Sequence, residues 1–134
     1  KKKKIMANIQ LQRGQKQQVD VTFKLSGQTN SADLSSNKSA QLVIRRSLTG
    51  AIIDTLTGAT GNSNLRILLG SGGGADTPNL NLKWSTAEAT KLPNESITVI
   101  GDLKIADDST FANGEVIHHI RLTFDIIPEV MHNG

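Results

Sequence analysis

His118 and His119 are the side chains of this 134-residue chain best suited to proton transfer or metal binding. Two imidazoles share one ion only where both rings reach the same point, as they do from positions i and i+4 of a helix. These two are neighbours in a run of alternating character that reads as a strand. Successive side chains of a strand point to opposite faces, so the rings diverge. His132 lies past Pro128, in the tail. Satisfied or surface histidines are expected, and no metal site. Ser71-Gly72-Gly73-Gly74 has the glycine content of a phosphate cradle. It runs into Ala75-Asp76, however, rather than into Gly-Lys-Ser/Thr at the start of a helix, and reads as a flexible hairpin loop. Asp107-Asp108, with Asp102 and Glu115 nearby, lacks the alternating oxygen spacing of a calcium loop and reads as solvated turn carboxylates. Arg45-Arg46 presents one guanidinium per strand face, for cross-strand pairing or contact with a partner. Cysteine is absent, which excludes thiolate nucleophiles, disulfides and sulfur-ligated metals. No catalytic residue, cofactor or enzymatic activity is expected.

Composition narrows the function classes further. One Trp, three Phe and no Tyr are too few for the stacking platforms of carbohydrate or single-stranded nucleic-acid surfaces. The formal charge of +3 owes four positive charges to Lys1 to Lys4, so the body of the chain is close to neutral. A phosphate-gripping domain concentrates Lys and Arg on a folded face, and no nucleic-acid partner is expected. No apolar run approaches a membrane span. The first lysines have no apolar stretch behind them, and Met6-Ala7 reads as a natural start. The expected organisation is a disordered basic extension at residues 1–5 and one domain at residues 6–134.

The elements that position these side chains are short strands separated by turn chemistry. Val19, Val21, Phe23 and Leu25 alternate with Asp20, Thr22 and Lys24. A Ser- and Asn-rich loop spans residues 26–39. Residues 40–48 and 51–56 flank Thr49-Gly50 as a hairpin. Residues 64–69 form a short strand, and Leu80, Leu82 and Trp84 share one face of the next. Ser85-Thr86-Ala87-Glu88 matches a capping box, which opens a helical crossover of one or two turns that Pro93 stops. Ile97, Val99, Leu103 and Ile105 alternate on a strand in which Gly101 is read as a bulge or kink. Val116, Ile120, Leu122, Phe124 and Ile126 share parity on the last strand, which Pro128 ends. The expected fold is all-β, an immunoglobulin-like antiparallel β-sandwich with one short helical crossover.

A family resemblance runs through the same residues. Leu11-Gln12-Arg13-Gly14 precedes an alternating strand, followed by Ala32-Asp33-Leu34-Ser35, then Leu42-Val43-Ile44-Arg45-Arg46 and a return at Ile52-Ile53. Ser85 to Leu92-Pro93, the strand Ile97 to Ile105 and a closing strand through Ile126 to Val130 complete it. This order resembles the N-terminal immunoglobulin-like domain of phage baseplate upper proteins and related tail and fibre proteins. Their pattern is an Arg-Gly turn, an Asp-Leu segment, a Thr-Ala to Leu-Pro crossover and a closing strand pair. The resemblance implies a virion structural role, with other virion proteins or further copies of the chain as partners and no small-molecule substrate.

Polar surfaces and open sheet edges agree with assembly by protein–protein contact. The candidate interface residues are Arg13, Arg45, Arg46 and the outward row Ile117, His119 and Arg121; outward Ile127 adds to them if it joins a patch. The rival reading is a ligand-binding β-sandwich, a carbohydrate-binding or adhesin domain. It requires a face carrying Trp84 and a Phe beside polar groups, with calcium near Asp107 and Asp108 as an optional addition.

Overall fold

The computed structural model describes residues 9–129. The extension at residues 1–5, the Met6 start, His132 and the last residues of the closing segment lie outside them.

Eight strands carry the fold: β1 (Ile9–Gln12), β2 (Gln17–Val21), β3 (Ser39–Arg45), β4 (Ile52–Ala59), β5 (Ile67–Leu69), β6 (Leu80–Trp84), β7 (Thr98–Ala106) and β8 (Val116–Ile127). Their order is β1-β8-β7-β3-β4-β5-β6-β2. All eight belong to one mixed sheet that folds over into a nearly closed, barrel-like shape; its first five strands form one layer and its last three the other, the strand order of an immunoglobulin-like sandwich. The layers meet through a single parallel pair, Gly58 with Ile67. A Cβ on Gly58 would sit 2.2 Å from the Ile67 carbonyl oxygen, so only glycine lets the two backbones approach this closely. Pairing is antiparallel except here and between β1 and β8, where Ile9 lies beside Phe124 and Leu11 beside Ile126.

Alternation does the folding work. Leu42 and Ile44 of β3, Val99, Leu103 and Ile105 of β7, and Leu122, Phe124 and Ile126 of β8 all point inward and are buried. They meet Leu80, Leu82 and Trp84 of β6 from the opposite layer. Each fully buried aliphatic chain contributes about 1.5–3 kcal/mol. Trp84 and Phe124 close the centre edge to face, with ring centroids 6.2 Å apart.

Several sequence expectations change in detail. Gly101 is neither a bulge nor a kink: it pairs in register with Ile44 and Leu122. Its missing Cβ leaves room for the Phe124 ring and a Leu42 methyl, both under 3 Å from where a Cβ would stand. The bulges lie instead at Ile44/Arg45 and Ile105/Ala106. β2 ends at Val21, so Leu25 leaves the inward row and is exposed. The segment around residues 64–69 forms a strand only from Ile67.

The crossover forms as its sequence dictates. α1 (Thr86–Ala89) begins at Ser85, whose hydroxyl accepts the Glu88 N–H while the Glu88 carboxylate accepts the Ser85 N–H. Ala89 and Leu92 anchor it to the core.

Candidate functional site

The side chains singled out from sequence occupy three separate places. Arg13, Arg45 and Arg46 lie at one end of the sandwich, where β1 turns into β2 and β3 into β4. Ile117 lies at the other end, at the start of β8. His119 and Arg121 stand between, on the outer face of the five-stranded layer.

The three arginines are held within the chain. Arg13 Nε donates to the Leu92 carbonyl at 2.7 Å, and its Nη1 pairs with the Glu129 carboxylate. This arginine ties the first turn to the crossover and to the segment after β8. Gly14 follows it with φ of +78°, a left-handed conformation that glycine adopts without steric cost. Arg45 Nη1 donates to the Gly50 carbonyl and braces the β3–β4 turn. Arg46 pairs with Glu95 at 2.9 Å, both side chains about half exposed.

On the outer face, register places Arg121 beside Asp102 and His119 beside Lys104. Asp102 lies 3.4 Å from Arg121 Nε and 3.6 Å from His119 Nε2, so one carboxylate serves both. Across β3, Asp102 neighbours Val43, and Ile100 neighbours Arg45. Val43 and Ile100 alternate with the buried core positions of β3 and β7 and are themselves partly exposed. The result is a small apolar centre beside an Asp102–Arg121 pair. At a strand spacing of about 4.8 Å the five-stranded face is about 20 Å across.

The adjacent histidines diverge: His119 is exposed, whereas His118 turns inward and packs on Phe23 with ring centroids 5.0 Å apart. Burial, and then the charge of Lys38, lower the His118 pKa below its ordinary 6.5. The turn carboxylates are engaged by backbone: Asp107 accepts the Glu115 N–H and Asp108 the Thr110 N–H. Among the described residues no group of three or more His, Asp or Glu side chains gathers at metal-binding spacing. Asp33 accepts both the hydroxyl and the N–H of Ser35, and these bonds lower its pKa.

The glycine loop is tied down where a free connection was expected. Ser31 donates its N–H to the Gly74 carbonyl and accepts the Gly73 N–H on its hydroxyl. The Asn79 amide donates to the Phe23 and Ala32 carbonyls and accepts the Phe23 N–H. Ser31 and Asn79 are both buried, and Leu34 seals the floor beneath the loop.

Sequence reasoning missed one polar centre. Asp54 occupies an inward position of β4, only 5% exposed, and receives Arg66 through two bonds of 3.1 and 2.8 Å. Arg66 also lies 3.2 Å from Glu88, and its guanidinium carbon stands 5.8 Å from the Trp84 ring centre. Asp54 accepts the Thr55 N–H and Arg66 reaches the Thr55 carbonyl, so the pair occupies backbone groups on the open edge of β4. The available signal was a carboxylate at the same strand parity as Leu56. An open depression of about 480 Å³ adjoins this centre, lined by Lys16, Gln18, Asn64, Leu65 and Lys83 among others. Trp84 is 1% exposed, so its indole offers no open face for a sugar ring, contrary to what the rival reading requires.

No protein-family model matches the chain, and no curated protein matches it.

Proposed function

We propose that this chain is a structural adaptor of a phage virion, a tail, baseplate or head-fibre component that works by protein–protein assembly. The observation that carries the reading is the outer face of the five-stranded layer. Val43 and Ile100 form a small apolar centre there, beside the Asp102–Arg121 pair. The outer face of a sheet, of mixed apolar and paired polar character, matches another protein surface better than it encloses a small molecule. The residues that carry the family resemblance also hold the frame: the Arg13-Gly14 turn is bonded to the crossover, Leu34 is buried, and Leu92 anchors the segment before Pro93.

The test is direct. Density-gradient-purified particles from the native source are analysed by mass spectrometry and labelled with a gold-conjugated antibody against the domain. The chain is expected in the particles at a fixed stoichiometry, with label on the tail or head surface. Particles free of it overturn the virion role. Incorporation is expected to be lost when Ile100→Asp and Arg121→Glu are combined, and unchanged incorporation removes this face from the contact.

A further inference from the structure

We infer that copies of this chain associate end to end, the acidic end of one sandwich against the basic end of the next. The inference rests on the assembly reading above and names its partner: a second copy of the chain.

The strands run along one axis, so the turns collect at two ends. The loops joining β2 to β3, β5 to β6 and β7 to β8 meet at one end. Among the described residues, Asp20, Asp33, Asp76, Asp107, Asp108 and Glu115 there outnumber Lys24, Lys38 and Lys104. The β1–β2 turn, the β3–β4 turn and the crossover meet at the opposite end. Among the described residues, Arg13, Lys16, Arg45, Arg46 and Lys91 there outnumber Glu95, Asp125 and Glu129, while Arg66 and Lys83 are balanced by Asp54 and Glu88.

The two ends differ in how their charges are used. Asp54, Glu88, Glu95, Asp102 and Glu129 supply the carboxylates of seven ion pairs along the face and at the basic end. Among the described residues, no carboxylate of the acidic end belongs to one of these. The exposed aliphatic side chains divide between the same two ends. Leu25, Val116 and Ile117 lie at the acidic end, and Leu48, Ile52 and Ile127 at the basic end. Single exposed aliphatics are ordinary. Here they stand at both ends of the long axis, beside charge of opposite sign.

Like ends repel, whereas opposite ends bring aliphatic against aliphatic and carboxylate against ammonium or guanidinium. That contact is heterologous, so it propagates into a ring or an open stack rather than closing as a two-fold dimer. The acidic loops are already ordered by Ser31 and Asn79, which reduces the conformational entropy lost on docking.

The experiment uses the whole chain and two variants, each with one end blocked. Asp76→Lys with Ile117→Lys blocks the acidic end; Lys16→Glu with Leu48→Glu blocks the basic end. All four positions are exposed, and circular dichroism with thermal unfolding checks each fold. Sedimentation velocity of the unaltered chain is expected to show mass rising past two chains with concentration. That mass falls when ionic strength is raised to about 1 M, where charges are screened beyond about 3 Å. Each blocked variant alone is expected to be monomeric, and their equimolar mixture to stop at a dimer. If a double variant misfolds, the single charge changes Asp76→Lys and Lys16→Glu take its place in the same mixture. A monomer at every concentration, or a closed dimer that survives both blocks, overturns the inference. A chain found in particles yet monomeric in solution overturns end-to-end association and leaves the virion role intact.

Discussion

Asp54 and Arg66 show how much one inward charge asks of its neighbours. A carboxylate left buried without its counter-ion costs about 3–5 kcal/mol when one partner of a buried pair is removed. Arg66 retains some exposure, so Arg66→Ala is expected to cost about 3 kcal/mol in urea unfolding. Arg66→Ala combined with Asp54→Ala is expected to recover part of that loss, because no charge is then stranded. Additive losses in the double variant rule the coupling out. His118 makes a second prediction at this scale. Its folded pKa lies below the ordinary 6.5, so the unfolded chain binds the extra proton more readily. The contribution is fully present above 6.5 and is lost as pH falls through the lower folded value. The urea midpoint is expected to fall on acidification across that window, and more steeply than in His118→Gln. Parallel profiles for the two proteins exclude the assignment.

At the scale of elements, two devices decide whether strands and crossover sit where they do. The capping box of α1 was legible outright, since Ser85 and Glu88 stand three apart before a short run ended by Pro93. Ser85→Ala removes the hydroxyl acceptor and is expected to lower stability by about 1 kcal/mol, read as a fall in the denaturant midpoint at unchanged slope. Gly58 was not legible, because nothing in the order of residues reveals that Ile67 will lie against it. Gly58→Ala forces the β4–β5 backbones apart and is expected to cost about 1–3 kcal/mol. Amide exchange at the β4–β5 contact should quicken before the rest of the sandwich responds. Gly101 teaches the same lesson from the other side. A glycine in a strand is compatible with a bulge or with close packing, and only the position of the Phe124 ring separates the two.

At the scale of the whole molecule, the outer face and the two ends of the sandwich are the surfaces that the proposed assembly role would use. Among the described residues its outer face carries Val43 and Ile100 beside the Asp102–Arg121 pair, and its two ends carry an excess of opposite charge, the features on which the proposed assembly role rests. The interface candidates read from sequence divide accordingly. Arg13, Arg45 and Arg46 serve the frame at the basic end, Ile117 belongs to the acidic end, and His119 and Arg121 share Asp102 on the face between. Because Arg13 is bonded to two other segments of the chain, Arg13→Ala is expected to act first on stability. It strips the Leu92 carbonyl and Glu129 of their donor, and a lowered unfolding temperature is the measurement that detects it.

The order of residues by itself determined the all-β class, the positions of the long strands, the capped crossover and the stop at Pro128. All of these rest on local periodicity, capping or φ restriction, and such rules act over a few neighbouring residues. It also fixed that His118 and His119 diverge, because alternation is local. Tertiary structure alone decided that Asp54 meets Arg66, that Ser31 and Asn79 lock the glycine loop, and that Gly58 and Gly101 are glycines for reasons of space. It alone gathered the carboxylates at one end. Each of these joins segments distant in the chain, and the partner across a sheet layer or between loops is set by packing, which no local pattern encodes.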